Sequence, residues 1–342
     1  MAELSTIFPG GPFTSLRPGN RTYCNVNKDF TAKFLPTVYT IVFIMGFVGN
    51  CWVLGDMCLS RRKCINITVF LFNLGLADLL YVTSLPFLVV YYVRERHWMF
   101  GKAFCRITRL LFHLNLYGSI GFLTCISVQR YLGIVHPMKV LGRWNRRQSL
   151  LFSLLVWGLV LTQTSADLHF TKTNLNGTKC FDSVTTRELR EYIKYNLALS
   201  VTAFFIPFLI IVGCYSHVVL VLVRNNNVDP GLRDRCLKLV LIITVLFSLC
   251  FAPYHFLRNA NLISRYFQLQ GQCIQTFKNI YLAYQVARAM ASLNSIINPL
   301  VYVLARDNMK SQTEKFGRAA SSLSSTRVIQ VAELEKNLLS SP

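Results

Sequence analysis

The sequence predicts an all-α membrane protein: a bundle of seven transmembrane helices followed by a short amphipathic eighth helix. Three observations predict it. Seven apolar segments of spanning length follow one another, near residues 34–58, 67–92, 104–135, 149–168, 190–223, 236–262 and 277–304. The chain of 342 residues is 53% apolar and only 15% charged, too apolar for a soluble enzyme of two domains. The connections are short, about 8 to 20 residues, with no internal repeat and no low-complexity block large enough for a second domain. One membrane domain over 34–306 therefore lies between an N-terminal segment, 1–33, and a tail, 307–342.

Each element follows from its own residues. The first 33 residues are polar, with Pro9, Pro12 and Pro18 and no apolar run, so the first span is expected to direct insertion itself. That span carries Gly49-Asn50, and the second carries Leu74 and Ala77-Asp78. In the third, residues 105–135 contain no Pro and only Gly118, Gly121 and Gly133. As a helix this stretch is roughly 46 Å long, against a hydrocarbon core of about 30 Å, and it stops at Pro137. Arg109, His113 and Tyr117 are spaced by four and stack on one face near its first end, while Gln129, Arg130 and Tyr131 close the other. Trp157 lies in the fourth span, and Pro207 and Tyr215 in the fifth. The sixth holds Phe247, Cys250 and Pro253, then Tyr254, His255 and Arg258, the last two sharing a face. The seventh holds Tyr284, Gln285, Arg288, Ser292 and Asn294, then Asn298-Pro299-Leu300-Val301-Tyr302. Pro253 and Pro299 break the backbone ladder and supply bends. A short amphipathic helix, Asp307 to Arg318, precedes a Ser-rich run expected to be disordered.

The formal net charge is +21, which points to acidic partners or an acidic membrane surface. Nucleic acid polymers are disfavoured, because the basic residues fall between apolar runs rather than on one polar domain. The basic excess is equal on the two sides of the membrane, so the positive-inside rule does not orient the chain. Two sequons, Asn20-Arg-Thr and Asn176-Gly-Thr, share a side with Cys24, Cys105, Cys180 and Cys273, which sets the N-terminus outside the plasma membrane. The compact Arg61-Arg62-Lys63 loop falls opposite, as does Asn66-Ile-Thr, a sequon silent in the cytoplasm. Cysteine arithmetic fits two outer disulfides, Cys105–Cys180 and Cys24–Cys273. The remaining Cys51, Cys58, Cys64, Cys125, Cys214, Cys236 and Cys250 read as small apolar side chains. No Cys-x-x-Cys pair, metal-ligand spacing, catalytic triad, phosphate-cradling Gly loop or carboxylate pair is present, so neither an enzyme nor a cofactor is expected.

Ionisable residues at membrane depth default to function. Asp78 and Arg130 are two of them; the purely structural alternative for Asp78 is a buried carboxyl satisfied by Asn neighbours. Arg109, Arg258 and Arg288 come from three spans that contain no Asp or Glu. Directed toward one outer vestibule, they would repel one another until something anionic enters. Guanidinium forks suit phosphate or carboxylate oxygens, and the Tyr and His rings suit a flat base. The bland alternative has each Arg snorkelling to water or pairing with Asp182 in the outer loop.

Taken in order, these residues resemble those of the rhodopsin-like (class A) G-protein-coupled receptors over nearly the whole chain. The resemblance rests on Gly49-Asn50, Leu74, Ala77-Asp78, Cys105, Gln129-Arg130-Tyr131, Trp157, Pro207, Tyr215, Phe247, Cys250, Pro253 and Asn298 to Tyr302. It implies a hydrated sodium pocket, with Na+ at Asp78, lined also by Ser119, Asn294 and Asn298. It further implies that Arg130 engages a heterotrimeric G protein when the sixth span swings out. Gln129, Tyr131, Tyr215, Phe247, Pro253, Pro299 and Tyr302 would serve that activation. Gln129 replaces the acidic residue usual before this Arg, so an ionic lock within the helix is absent and raised basal activity is expected.

Within the superfamily, the segments HWMFGKAFCRITRLLFHLNLYGSIGFLTCISVQRYLGIVHP, PYHFLRNANLISR and AYQVARAMASLNS resemble the metabotropic purine and pyrimidine nucleotide receptors, or purinoceptors. Leu141-Gly142-Arg143 and Tyr284-Gln285-Val286 bring the likeness nearest to the adenine-nucleotide branch. By that resemblance Arg109, Arg258 and Arg288 hold phosphates of an extracellular nucleotide, ADP or ATP rather than UDP or UTP. His113, Tyr117, His255, Tyr284, Gln285 and Ser292 shape the rest of the pocket, and Asp182 pairs with Arg288 before ligand arrives. Relatives in that branch carry Asp where Asn298 stands and Lys where Arg258 stands. Tyr254 to Asn259 also reads like a succinate receptor, which keeps a dicarboxylate (succinate or oxoglutarate) agonist as the alternative. An anion transporter is more distant, because the seven spans show no paired repeats. Arg143, Arg146, Arg147, Arg233, Arg235 and Lys238 suit a G protein or anionic membrane lipid, and Ser321 to Thr326 suit phosphorylation for arrestin.

Overall fold

Proline decides where the apolar segments bend. The computed structural model describes residues 29–59, 66–136, 145–170, 180, 188–224, 230–272 and 274–305. We number its rods α1 (Asp29–Leu59), α2 (Asn66–Val82 and Leu85–Val93), α3 (Gly101–Val135) and α4 (Arg146–Phe170). Then come α5 (Leu189–Ser200 and Ile206–Arg224), α6 (Pro230–Val245 and Ala252–Leu269) and α7 (Gln275–Ser292 and 294–305). The halves of α2 meet at a turn just before Pro86. In α5 and α6 the halves are joined by single π turns, Val201–Phe205 and Leu246–Phe251. Each π turn ends just ahead of a proline, Pro207 or Pro253. The missing proline N–H leaves one carbonyl without its usual donor, and the turn widens to an i→i−5 bond: Ile206 N–H to Val201 and Ala252 N–H to Phe247.

In α7 the same deficit is met from another helix. Pro299 cannot donate to the Ser295 carbonyl; Asn50 Nδ2 of α1 donates to it at 2.8 Å, and to the Gly46 carbonyl at 2.8 Å. A Cβ on Gly49 would stand 3.2 Å from the Pro299 ring, so glycine lets the two rods meet here.

The central rod is α3, which packs on α2, α4 and α5. A Cβ on Gly121 would stand 2.8 Å from Val156 Cγ1 of α4. Beside it Trp157 Nε1 donates to Asn73 Oδ1 at 2.8 Å and its ring edges onto Phe122. Polarity is distributed as lipid requires. Asp78, Asn115, Ser119, Asn294 and Ser295 are buried inside, while Leu151, Leu154, Leu155 and Leu159 of α4 face outward.

Among the described residues six helices are long and apolar enough to cross a membrane: Phe30–Leu59, Ile67–Val93, Gly101–Val135, Arg146–Leu168, Leu189–Arg224 and Cys236–Leu269. The seventh rod is turned at Leu293 and carries Lys278 and Arg288 in its first half, which lowers its hydropathy. Helix ends extend a few residues beyond the apolar segments, because polar turns continue the helices past the hydrocarbon region. Cys105 is bridged to Cys180, as expected, and Tyr91 OH donates to the Cys180 carbonyl at 2.7 Å. Cys51, Cys58, Cys125, Cys214, Cys236 and Cys250 carry free thiols; Cys51 and Cys58 lie on the outer face of α1. The Asp307 to Arg318 helix, the Ser321 to Thr326 run, the Cys24–Cys273 bridge, Asn20, Asn176, Asp182 and Leu141-Gly142-Arg143 lie outside the described residues.

Candidate functional site

The i, i+4 spacing on α3 stacks Arg109, His113 and Tyr117, all buried, with the His113 and Tyr117 rings parallel at 5.9 Å. The half of α6 that begins at Ala252 and Pro253 buries Tyr254, His255 and Arg258. Arg258 is the hub. Its Nη1 lies 2.9 Å from Tyr254 OH, 3.3 Å from Tyr117 OH and 3.1 Å from His113 Nε2. Its Nη2 donates to Tyr192 OH of α5 at 2.8 Å.

The expectation that these arginines face no acid does not hold. Asp167, near the end of α4, enters the group from the side. Its Oδ2 is 3.3 Å from Arg109 Nε and 3.2 Å from His113 Nδ1, and its Oδ1 is 3.5 Å from Arg258 Nη2. Tyr192 OH donates to Oδ1 at 2.8 Å, and Arg109 Nη2 reaches the same hydroxyl at 3.2 Å. His113 Nε2 faces a guanidinium N–H, so it accepts, while Nδ1 carries the proton toward Asp167. The imidazole is thus neutral in this network, which sums two guanidinium charges against one carboxylate. The sequence does carry a signal for Asp167: it is an acid inside an apolar segment of spanning length. Its partners are not legible there, because they arrive from α3, α5 and α6.

Arg288 has a different neighbourhood. It donates to Tyr92 OH and lies over the Tyr92 ring, 5.7 Å from its centroid. With Tyr39, Tyr81, Leu88, Tyr92 and Phe112 it lines a small cavity among α1, α2, α3 and α7. Ser292, one turn on, meets Tyr81 OH at 2.7 Å. Phe112 packs on both Tyr81 and Tyr254, and Tyr254 lies 6.1 Å from Tyr284, so a run of rings connects the two groups. The three arginines therefore form a pair and a neighbour across an aromatic seam, rather than one triplet. His255 stacks on Phe204 at 4.6 Å, and both its ring nitrogens are buried with no hydrogen-bond partner among the described residues. Gln285 Oε1 is likewise buried and unmatched. His255 and Gln285, with Tyr284, supply polar atoms beside the arginines.

Deeper in the bundle Asp78 is fully buried and accepts from Asn115 Nδ2 at 2.6 Å, Ser295 Oγ at 2.9 Å and Asn298 Nδ2 at 2.8 Å. Ser119 joins through Asn298, 3.5 Å away, and Asn294 through Ser295, 3.0 Å away. Asn115 and Ser295 are members of this group that the sequence motifs do not mark; Asn115 lies one turn before Ser119. Asn298 Oδ1 is buried and unmatched among the described residues. A carboxylate, a hydroxyl and a spare amide oxygen form a donor set that fits a hard cation.

At the inner end Arg130 Nη2 donates to the Ala305 carbonyl of α7 at 3.0 Å, where an acidic neighbour is missing at Gln129. Tyr302 OH donates to Asp56 of α1. Tyr215 and Ser127 hydrogen-bond at 2.8 Å, tying α5 to α3. Phe247 stacks on Phe204 and Phe208, so the π turns of α5 and α6 pack on each other. Tyr131 packs on His217 of α5.

The sequence profile of the 7 transmembrane receptor (rhodopsin family) matches residues 49–302. The chain is 39% identical over 317 residues to purinoceptor 1 of Gallus gallus, covering 91% of this chain and 87% of the relative. It is 38% identical over 303 residues to purinoceptor 1 of Homo sapiens, covering 87% and 81%. It is 34% identical over 306 residues to purinoceptor 3 of Gallus gallus, covering 86% and 92%. These are receptors rather than enzymes. With seven rods, an intramembrane carboxylate and an arginine at each mouth, the chain belongs to the rhodopsin-like G-protein-coupled receptors, and within them to the purinoceptors.

Proposed function

We propose that the protein is a plasma-membrane receptor, N-terminus outside, that an extracellular nucleotide activates and that signals through heterotrimeric G proteins. The observation that carries the reading is the buried pair Arg109 and Arg258, facing one carboxylate and a ring of Tyr and His side chains. Such a group has one positive charge in excess, and its guanidinium forks suit phosphate oxygens. Tyr117, His255, Tyr284, Gln285 and Ser292 would frame the base and ribose, with Arg288 taking the far end of the phosphate chain. The likeness to the purinoceptors supports a purine ligand, and the Tyr284-Gln285-Val286 stretch supports ADP or ATP over UDP or UTP.

The test is a calcium and cyclic AMP readout in cells without endogenous nucleotide receptors. ADP, ATP, UDP, UTP, succinate and 2-oxoglutarate are compared side by side. Adenine nucleotides are expected to activate, and Arg288→Ala to lose that response at unchanged surface level. A response to a dicarboxylate alone replaces the ligand class while keeping the arginine roles.

In this reading Asp78, Ser119, Asn294 and Asn298 hold Na+, which supplies a counter-charge to the carboxylate. Arg130, Tyr131, Tyr215, Phe247, Pro253, Pro299 and Tyr302 rearrange to admit the G protein; arrestin and anionic lipid are further partners at the inner face. The Arg130–Ala305 and Tyr302–Asp56 bonds hold α7 to α3 and α1, which compensates for Gln129. A hydrogen bond to a charged group contributes about 1.5–3 kcal/mol, so Asp56→Ala is expected to shift the resting balance about tenfold or more. Ligand-independent signalling per surface receptor should rise accordingly; an unchanged basal level would remove Asp56 from this role.

A further inference from the structure

We propose that Asp167 is a built-in competitor for the anionic group of the ligand, and that it sets how much ligand charge the receptor demands. The inference rests on the reading that Arg109 and Arg258 receive an anion. Asp167 is 1% exposed and stands between the two guanidiniums, its oxygens divided between them. Each arginine spends one nitrogen on it, at 3.3 and 3.5 Å, and gives others to the hydroxyls of Tyr192 or Tyr254. Charge-assisted bonds close at about 2.7–2.9 Å when a fork is fully engaged. Among the described residues the tightest link on the carboxylate is instead Tyr192 OH, at 2.8 Å, which also receives Arg258 at 2.8 Å. Tyr192 thus pins the carboxylate between the two forks.

Among the described residues, the groups that face Asp167 come from three rods: Arg109, His113 and Tyr117 from α3, Tyr192 and Tyr195 from α5, and Arg258 from α6. An incoming phosphate or carboxylate meets two cations already shared with one anion. It must take over donors that Asp167 holds, and it must tolerate the Asp167 charge nearby. A ligand of higher charge gains more from the arginines and is repelled more by Asp167. Neutralising Asp167 should therefore strengthen binding of all anions, and most of all the most highly charged.

The experiment uses the purified full-length receptor in nanodiscs and reads thermal stabilisation by orthophosphate, pyrophosphate and tripolyphosphate. These probes need the arginines and no base recognition. Asp167→Asn is expected to bind pyrophosphate about tenfold more tightly than the parent, and tripolyphosphate by a larger factor. Arg109→Gln should lose anion binding, because Asp167 then neutralises the remaining Arg258. Adding Asp167→Asn to Arg109→Gln should recover about tenfold, a rescue that a merely structural role would not produce. This arm decides the matter if Asp167→Asn alone fails to fold. Parental or weaker binding of all three anions by Asp167→Asn, no rescue in the double variant, or no anion binding by any form would overturn the proposal. ADP and ATP in the cellular assay judge the nucleotide reading separately. A receptor that ignores nucleotides while Asp167→Asn gains inorganic anions keeps this inference and loses that one.

Discussion

Arg258→Ala is expected to remove the agonist response at concentrations that saturate the parent receptor. The side chain joins four aromatic or imidazole partners on α3, α5 and α6 and reaches the carboxylate from α4. Truncation takes away a ligand-facing fork and leaves Asp167 with one cation fewer. A hydrogen bond to a charged group contributes about 1.5–3 kcal/mol, so losing the two bonds of a fork corresponds to a loss of about a hundredfold or more in potency. Arg258→Lys keeps the charge but loses the planar fork; a loss of about tenfold is expected. Concentration–response curves, normalised to surface receptor counted by an N-terminal epitope, check both. Parental potency in Arg258→Ala at normal surface level would take phosphate recognition away from this residue.

The second large effect concerns the outer rim. Cys105→Ser or Cys180→Ser is expected to cut surface delivery severely. The bridge joins residues 75 apart in the chain and closes a loop that holds most of α3 and all of α4. Loop-closure entropy for that separation is worth roughly 4 kcal/mol, a large part of a domain's stability. Cys180 is wholly buried and its carbonyl holds Tyr91, so losing the bridge also loosens the rim beside Trp98 and Phe104. The double serine variant should behave like either single one, because the bond is the shared loss. Full delivery and full signalling in any of the three would show that packing alone closes the rim.

The features legible in the sequence are local or periodic. Seven apolar segments carry their own backbone hydrogen bonds in lipid, so they must be helices whatever surrounds them. Pro207, Pro253 and Pro299 mark the bends, because a missing N–H disturbs the ladder wherever it occurs. Spacing by four stacks Arg109, His113 and Tyr117, and it also places Asn115 one turn before Ser119. The roles of Asp78 and Arg130 are what the resemblance implies; Asp78 is fully buried and Arg130 half-buried, each hydrogen-bonded to α7.

Which side chains meet across helices is settled by the packing of the bundle. Asp167 lies 58 residues from Arg109 and 91 from Arg258 in sequence, and only the convergence of α3, α4 and α6 brings the three together. The same holds for Tyr92 with Arg288, 196 residues apart, and for Asp56 with Tyr302, 246 apart. Periodicity states which face of one helix a side chain occupies, but not which neighbour that face is turned to. The charge on three arginines is legible in the sequence; that one carboxylate already divides itself between two of them follows from how the helices pack.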